Sequence, residues 1–473
     1  MSREGKLAQN TLILAIGTFF PKLAIFIALP ILTTYLSNEE YGIYELFFSM
    51  VTLVLPAATL QIQSAAFRFL IEVRDQEEEK TRIISNICLF VVATSFAVLL
   101  LVFFLLKNLD SPVRLAVCFY YFFDILVNVA RQIVRGMSRN KDYAVSAIIS
   151  GAGQIAFMCL LVMGLKKGVL GGLLALGCGD LISTIYLVLR GGIYKYIRPN
   201  RFDRKTLKEM LGYSWPMVPN SLSQWVIHAS DRAIITFFMG PVANGIYSAA
   251  YKIPSIISLA QTTFNLAWQE NATIASKDSD VREYYSSMFK SLLNIVGGIT
   301  SVLIGMTPIL FALFIRGDYA GAYNQIPILY MGMFCLCMST FWGGIFVALK
   351  KTKAVGITTL TAAVISVTIN VLLINVIGLY AASIASCVAY SAMCLLRAFR
   401  IQKLIKITYD FKHILMVVVL LILQCVVCFI QNLPFNILNL VVGIVVCYIL
   451  NHRLVKAMLV KGKKILSYSK KHK

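Results

Sequence analysis

Residues 230–254 read SDRAIITFFMGPVANGIYSAAYKIP. This stretch places Asp231, Arg232 and Lys252 in two otherwise apolar segments, which we expect to be joined by a turn at residues 240–245. A charge at membrane depth costs at least a few kcal/mol, so it normally faces a charged partner or a water-filled cavity. We therefore expect the two helices to border such a cavity.

An earlier part of the chain repeats this stretch. Residues 31–50, ILTTYLSNEEYGIYELFFSM, align without gaps on residues 234–253, and the two share Ile, Thr and the Gly-Ile-Tyr of 42–44 and 245–247. The repeat predicts two related halves that face each other. The charged helices are then expected to line the space between them.

The composition is that of a membrane protein, with a mean hydropathy of +0.76 and 58% hydrophobic residues. Apolar runs of about 20 residues, the length that crosses a bilayer, recur from end to end. We expect no cleavable signal peptide, because the apolar stretch at residues 10–36 is too long and no small-residue cleavage site follows it. The cysteines lie almost wholly in apolar spans and are expected to be buried thiols rather than disulfides.

Hydropathy predicts an all-α polytopic membrane protein with about 14 transmembrane helices. The predicted spans are 10–36, 43–70, 83–106, 113–134, 144–165, 169–189, 214–239, 246–274, 285–315, 326–349, 355–376, 380–398, 413–430 and 437–457. If the N-terminus is cytoplasmic, 34 of the 44 lysines and arginines lie in cytoplasmic segments and 5 in outer segments. The positive-inside rule therefore places both termini in the cytoplasm of a cell with this protein in its cytoplasmic (inner) membrane. The net charge of +22 then faces anionic membrane lipids, and no nucleic-acid partner is needed to explain it.

The longest predicted cytoplasmic loop divides the chain into related parts. We predict an N-terminal lobe at 1–190 (spans 1–6), a cytoplasmic linker at 191–213, a C-terminal lobe at 214–400 (spans 7–12), and two extra helices with a basic tail at 401–473. Because six spans separate the halves, the repeats are expected to be parallel, about an axis along the membrane normal. The predicted outer loops are short and leave no room for an external catalytic domain.

Prolines collect in the helices that open each predicted half: Pro21, Pro30, Pro56, Pro219 and Pro254. A proline inside a helix removes a hydrogen bond and bends the helix. One interpretation is that these gating prolines let the helices bend to open the cavity on either side. The alternative is that proline is simply common in membrane helices.

Polar side chains form stripes at helical spacing on five of the predicted helices, and cations at several depths favour an aqueous cavity over plain helix packing. At about 1.5 Å per residue, Arg68 and Arg131 are expected near the cytoplasmic mouth and Lys22 near the midplane. Arg232 and Lys252 are expected in the outer half. This ladder of cations suits a doubly charged phosphate-type group, so these five are the candidate substrate-binding residues.

Each candidate also has a structural alternative. Arg68 lies off its polar stripe and can reach the inner headgroups by snorkelling. Asp231 can neutralise Arg232 and Lys252 in structural ion pairs. The buried acidic residues are candidates either for proton or sodium coupling or for charge balance: Glu45, Asp124, Asp180, Asp231 and Glu270.

No motif indicates a catalytic site or a resident cofactor. The chain has no Gly-x-x-x-x-Gly-Lys-Ser/Thr loop, no Gly-x-Ser-x-Gly and no His-Glu-x-x-His. Its histidines are too scattered to form a metal site. We predict no catalytic residue, no metal and no cofactor.

Residues 230–254 resemble the oligosaccharide flippases of the polysaccharide transporter family, in the multidrug/oligosaccharidyl-lipid/polysaccharide exporter superfamily. The resemblance rests on Asp231-Arg232, Ile234-Ile235, Gly240, residues 245–248, residues 250–254 and Ala267-Trp268-Gln269, and on Pro21-Lys22, Pro30, Leu36, Tyr41-Gly42 and Tyr44 near the start. It implies two six-helix lobes, alternating access and a polyprenyl-diphosphate-linked glycan as cargo. It also implies that cavity cations hold the diphosphate, which carries over to Lys22, Arg232 and Lys252, whereas Arg68 and Arg131 rest on their predicted placement alone.

These observations predict a flippase rather than an enzyme. A multidrug/cation antiporter of the same superfamily is the alternative, although it would require a net acidic cavity. A membrane-embedded glycan polymerase or glycosyltransferase fits less well because the outer loops are short. The expected partners are the lipid-linked glycan, membrane lipids, and a glycan polymerase or glycosyltransferases.

Overall fold

The computed structural model describes the backbone of residues 3–73, 75–276 and 278–471. Side chains are described for the same residues except 3–16, 18, 259, 260, 262, 263, 266, 267, 270 and 453–471. Within this part of the chain the secondary structure is helical and contains no strand. The predicted all-α fold class is confirmed.

Among the described residues, the first half of the chain forms nine α-helices. They are α1 Arg3–Tyr35, α2 Asn38–Thr59, α3 Ile62–Glu72, α4 Glu77–Leu105, α5 Ser111–Gly136, α6 Asn140–Met158, α7 Gly168–Leu189, α8 Arg204–Ser214 and α9 Val218–Lys252. Helix α6 continues as a π-helical turn, Cys159–Gly164, and short 3₁₀ turns at Ile193–Tyr196, Pro199–Arg201 and Trp215–Met217 flank α8.

In the part of the second half that the structure describes, there are eight more α-helices. They are α10 Ile256–Ala275, α11 Val281–Phe314, α12 Ala320–Tyr323, α13 Ile326–Ala348, α14 Thr352–Ile377, α15 Tyr380–Gln402, α16 Phe411–Cys428 and α17 Leu433–Lys471. Every one of the 14 predicted spans overlaps one of these helices or a consecutive pair.

The distribution of polar and apolar side chains on the helices is that of a membrane protein. In the described residues 12 helical segments are long and apolar enough to cross a bilayer, and a shorter apolar segment occupies Phe19–Tyr35. Large apolar side chains such as Phe237 (83% exposed) and Val376 (76% exposed) point outward, while Ser183 and Asn370 are fully buried. An apolar solvent explains this arrangement, because lipid accepts exposed hydrophobic side chains and every polar group must be satisfied inside the bundle. The chain is a multi-pass membrane protein.

Predicted span 2 is broken into two helices. Helix α2 ends at Thr59, and Leu60 and Gln61 both adopt left-handed backbone conformations, with φ of 47° and 61°, before α3 begins at Ile62. The amide of Leu60 still bonds to the carbonyl of Pro56 at 3.0 Å, so the break follows the turn that contains the proline. The prediction of a continuous helix over 43–70 is therefore wrong. The apolar pattern of the sequence continues through Leu60 and Gln61, although the backbone conformation of these two residues ends one helix before the next begins.

The junction inside residues 230–254 is also tighter than expected. Within α9 only Gly240 departs from helical geometry, with φ 84° and ψ 172°, and the helix resumes at Pro241. Glycine adopts this φ without a steric cost, and proline fits the first turn of a helix because its missing amide would have no partner there. The predicted turn over 240–245 therefore reduces to a single-residue kink.

The chain divides into two compact units, residues 1–249 with 314–318, and residues 250–313 with 319–473. In the first unit, α7 packs against both α5 and α6, and α1 packs against α6. In the second unit, α15 packs against both α13 and α14. The helices at spans 4, 5 and 6 thus pack in the same order as those at spans 10, 11 and 12, as expected for an internal repeat.

Candidate substrate-binding site

The two copies of the Gly-Ile-Tyr motif lie against each other within the first unit. Helix α2 is so close to the second part of α9 that a Cβ atom on Gly42 would lie 1.8 Å from the carbonyl oxygen of Pro241. A Cβ atom on Gly245 would lie 2.2 Å from the carbonyl oxygen of Asn38. The amide of Asn244 donates to the carbonyl oxygen of Gly42 at 2.8 Å.

This crossing has internal symmetry. In the gap-free alignment of 31–50 on 234–253, Asn38 matches Pro241 and Gly42 matches Gly245. Gly42 faces Pro241, and its counterpart Gly245 faces Asn38, the residue that aligns with Pro241. An approximate two-fold axis therefore relates the two contacts. Glycines allow backbones to approach this closely, a common device in membrane helix pairs. The two copies of the sequence repeat are thus in direct contact with each other.

The local sequence fixes where α2 begins at this crossing. Ser37 caps the helix: its hydroxyl accepts from the amide of Glu40 at 3.2 Å, and the Glu40 carboxylate accepts from the amide of Ser37 at 3.0 Å. The second Glu40 oxygen accepts from the amide of Val169 at the start of α7, at 3.3 Å. This reciprocal capping box sets the register that places Gly42 and Glu45 on the face toward α9.

A buried group of charges lies beside the crossing. Glu45 is 1% exposed, Asp231 6% and Arg232 7%. The Nε atom of Arg232 is 3.7 Å from Oε2 of Glu45, and its Nη1 donates to the carbonyl oxygen of His228 at 3.4 Å. Tyrosines hold both carboxylates in place: Tyr41 donates to Glu45 at 3.1 Å and Tyr247 to Asp231 at 3.0 Å.

The Arg232 guanidinium forms a buried ion pair with Glu45. Its separation from Glu45 is that of an ion pair without a close hydrogen bond between Nε and Oε2. Removing one member of a buried pair typically costs about 3–5 kcal/mol, so Arg232 and Glu45 depend on each other. The planar fork of arginine is the side chain best matched to carboxylate and phosphate oxygens.

A second polar cluster lies between α5, α6 and α7. The carboxylate of Asp180, 3% exposed, accepts from Ser150 at 2.5 Å and from Gln154 at 3.3 Å. Asp124 accepts from Asn128, one helical turn away on α5, at 3.1 Å. Charge interactions link Asp124 with both Asp180 and Arg131. The predicted polar stripe of span 4 therefore faces other helices of this unit.

The other predicted cations have different surroundings. Arg68 on α3 pairs with Glu72 at 2.7 Å, and both side chains are 54% exposed. Arg131 donates to the hydroxyl and carbonyl oxygens of Ser146, both at 3.3 Å. Lys22 on α1 is half-buried. Lys252, at the end of α9 in the second unit, is 7% exposed.

The remaining predicted residues are located as follows. Pro21 and Pro30 lie inside α1, Pro56 inside α2, Pro219 in the first turn of α9, and Pro254 in the turn between α9 and α10. The side chain of Glu270 lies outside the described residues. The gating role of the prolines remains a prediction.

Sequence reasoning missed the burial of Arg397. Arg397, assigned by its position to the cytoplasmic end of span 12, is 5% exposed. It donates to Thr358 at 3.0 Å, to Thr359 at 2.9 Å and to the carbonyl oxygen of Ser339 at 3.1 Å. The available signal was the pair of threonines on α14, but only the contact between α14 and α15 shows that they face the arginine.

The fold matches solved structures of membrane transporters along nearly the whole chain. A lipid II flippase MurJ in an inward closed conformation aligns with a TM-score of 0.73 at 15% identity, covering 95% of this chain and 100% of that chain. An inward-facing multidrug resistance MATE transporter aligns at 0.67 and 14% identity, covering 83% and 98%. A MOP superfamily transporter from Pyrococcus furiosus aligns at 0.58 and 16% identity, covering 84% and 95%. At these identities the likeness shows the fold, which is that of MOP superfamily transporters.

The sequence places the chain more narrowly. A family profile described as polysaccharide biosynthesis protein matches residues 7–268, more than half of the chain. The protein belongs to this polysaccharide biosynthesis family, and the predicted resemblance to polysaccharide transporters of the MOP superfamily is confirmed. A comparison with curated protein sequences gives no match.

Proposed function

We propose that the protein is a flippase that moves a polyprenyl-diphosphate-linked oligosaccharide across the cytoplasmic membrane by alternating access. Its family and its transporter fold support this class of function. The observation that carries the proposal is the buried Arg232–Glu45 pair beside the crossing of the two Gly-Ile-Tyr motifs. A buried arginine within an apolar helix supports the proposal, because charges are seldom retained in such surroundings without a function.

The proposed chemistry is an exchange of partners at Arg232. A diphosphate offers oxygens that the guanidinium fork can bind with two parallel hydrogen bonds, which is a stronger contact than the 3.7 Å pair with Glu45. In this proposal the cargo's headgroup displaces Glu45 when it enters, and Glu45 neutralises Arg232 again when it leaves. Lys22 and Lys252 are the further proposed contacts for the diphosphate.

The proposed transport cycle uses the internal repeat. If the lobes at 1–190 and 214–400, joined by the linker 191–213, move as separate bodies, α2 moves with the first and α9 with the second, although α2 and most of α9 share one compact unit in this structure. The Gly42–Gly245 crossing would then separate in one half of the cycle, and Pro21, Pro30 and Pro254 would let the adjacent helices bend. The helices of 401–473 lie outside the repeat.

The driving force need not be ATP. A membrane potential that is negative inside favours export of an anion by about 2.3 kcal/mol per charge per 100 mV. Asp124 and Asp180 are the proposed sites if a proton or sodium ion is coupled to transport, because both carboxylates share one polar cluster with Arg131. With both termini in the cytoplasm, glycosyltransferases would supply the cargo and a glycan polymerase would consume it.

A multidrug/cation antiporter is the second candidate. The observation that favours it is the set of buried carboxylates in the first unit, since cationic drugs need acidic partners: Glu45, Asp180 and Asp231. Glycan synthesis or polymerisation by the chain itself is less well supported, because the family and fold are those of transporters. Growth in ethidium with and without the protein separates the antiporter from the flippase.

The test is glycan export in cells that carry Arg232→Gln, Lys22→Gln or Lys252→Gln, with protein levels measured. We expect Arg232→Gln to reduce export at least about tenfold, as for loss of one charged hydrogen bond to the cargo. Arg204→Gln, an exposed arginine at the start of α8, is the matched control and is expected to export normally. Normal export by all three test variants would remove the diphosphate-binding assignment.

A further inference from the structure

The second unit contains an apolar cavity that the proposed transport function does not use. It has a volume of about 460 Å³ and lies between α11, α13, α15 and α16. Its wall includes Phe289, Phe334, Met338, Trp342 and Val418. The size is within the range of about 300–1,000 Å³ that is usual for small-molecule sites.

The polar groups in the cavity wall already have partners. Trp342 donates its indole N–H to the Tyr409 hydroxyl at 3.0 Å. Ser391 bonds to the Cys335 sulfur at 3.3 Å. Gln402 exchanges hydrogen bonds with the backbone of Ile407, at 2.8 and 2.7 Å. A ligand in this cavity would gain contacts from apolar surface, so an aliphatic chain fits its chemistry.

The cavity opens toward the lipid. Three wall residues are largely exposed on the outer surface of the unit: Leu395 (57%), Phe399 (67%) and Phe411 (74%). All three belong to or adjoin helices that are long and apolar enough to cross a membrane. An acyl chain can therefore enter from the bilayer without passing through water.

Several wall residues of the cavity are next to exposed lysines in the sequence. Three wall residues, Phe289, Gln402 and Phe411, are each followed in the sequence by an exposed lysine: Lys290, Lys403 and Lys412. Lys406 is also exposed in the same loop. The one carboxylate between residues 397 and 412 is Asp410, which pairs with Lys290 at 3.6 Å. This leaves an excess of positive charge next to the apolar cavity.

We propose that this cavity is a binding site for an anionic phospholipid, with one acyl chain in the cavity and the phosphate among Lys403, Lys406 and Lys412. Basic residues beside a pocket between transmembrane helices form the usual recognition pattern for anionic lipid headgroups. The lysines specify the headgroup charge, and the apolar wall specifies the chain. The site is independent of Arg232 and of the cargo.

The first test measures lipid binding to the purified full-length protein by native mass spectrometry, with phosphatidylglycerol and phosphatidylcholine of identical chains. We expect phosphatidylglycerol to bind and the triple variant Lys403→Gln, Lys406→Gln, Lys412→Gln to weaken it roughly tenfold or more. Filling the cavity with Ala398→Trp should have the same effect through the chain. The matched control Lys350→Gln, Lys351→Gln, Lys353→Gln removes equal charge from another exposed segment of this unit and should bind like the wild type.

The second test locates the chain. Phosphatidylglycerol with brominated acyl chains quenches nearby tryptophans, and Trp342 lines the cavity. We expect the quenching to fall in Trp342→Phe and in Ala398→Phe, which fills the cavity without adding a tryptophan, when both are reconstituted at the same lipid content. Three results would each overturn the proposal. The first two are equal binding of phosphatidylcholine and an equal loss of phosphatidylglycerol binding in the control triple variant. The third is quenching that polyprenyl phosphate abolishes but excess phosphatidylglycerol does not.

Discussion

Arg397 shows how hydrogen bonds to neutral groups can hold a buried cation. Three different groups on α13 and α14 accept its hydrogen bonds, and hydrogen bonds to a charged group are worth about 1.5–3 kcal/mol each. We predict that Arg397→Lys lowers the melting temperature of the purified protein, because an ammonium group cannot reproduce the planar fork.

The control for this prediction is Arg400→Lys, one helical turn further along α15. Both changes keep the positive charge, so a difference in melting temperature between the two variants reports the geometry of the hydrogen bonds. Equal melting temperatures for Arg397→Lys and the wild type, measured by light scattering or intrinsic fluorescence in detergent, would contradict the structural role of Arg397.

Asp203 gives a pH-dependent prediction at a residue outside the membrane spans. The hydroxyl of Thr206, together with the amide of Thr206, bonds to its carboxylate as the N-cap of α8 and lowers the pKa of Asp203 below its usual value. A lowered pKa in the folded state adds stability that is fully present above the ordinary carboxyl pKa of about 4 and is lost as the pH falls through the lowered value.

The comparison is with Asp203→Asn, which can still cap the helix but does not titrate. We expect the melting temperature of the wild type minus that of Asp203→Asn to be constant from pH 5 to pH 8, a range chosen about one unit or more above that carboxyl pKa. It should shrink as the pH is lowered below about 4. A difference that grows on acidification would contradict the assignment.

At the scale of elements, the crossing of α2 and α9 depends on two glycines. Gly42→Ala or Gly245→Ala would put a methyl group within 1.8 or 2.2 Å of a backbone oxygen, so the two helices would have to move apart. We predict a loss of about 1–3 kcal/mol from this overpacking, seen as a lower melting temperature, together with reduced export.

Two other glycines are suitable controls. A Cβ atom on Gly212 or Gly356 would meet nothing within 4 Å, so Gly212→Ala and Gly356→Ala are expected to leave the melting temperature unchanged or raised. If alanine at 42 or 245 behaves like alanine at 212, the close approach of α2 and α9 is not a feature of the protein.

The elements themselves were largely predictable, and their interruptions were not. Membrane helices reveal themselves through runs of apolar residues long enough to cross a bilayer, and each predicted span overlaps a helix. The break at Leu60 and Gln61 has no such signal, since neither residue is a usual choice for left-handed backbone. Gly240 was expected in a turn, but its sequence does not reveal that Pro241 restarts the helix at once.

For the whole molecule, the sequence predicted some of the buried charges, but it missed Arg397 and did not predict the partners of the others. The burial of Asp231 and Arg232 follows from their position in an apolar segment of the sequence. The pairing of Arg232 with Glu45 joins residues far apart in the chain and requires the contact between α2 and α9. Arg68 illustrates the reverse case: it lies in a predicted span, but its side chain is half exposed and paired with Glu72.

The orientation of the chain in the membrane is a prediction for the whole molecule. The excess of basic residues in alternate loops predicts that both termini lie in the cytoplasm. A green fluorescent protein fused after residue 473 should therefore fluoresce, and alkaline phosphatase fused in the loop near Lys107 should be active. A fluorescent fusion near Lys107 together with an active phosphatase at the C-terminus would reverse the topology.

The central claim is that a buried, paired cation carries an anionic lipid headgroup across the bilayer. It is tested most directly with purified protein in liposomes that contain a fluorescent polyprenyl-diphosphate disaccharide, whose exposure on the outer leaflet is followed by dithionite quenching. The account predicts that the wild type flips this lipid, that it leaves a fluorescent phosphatidylcholine in place, and that Arg232→Gln slows flipping at least about tenfold. Equal rates for the wild type and Arg232→Gln, or no flipping by the wild type, would contradict it.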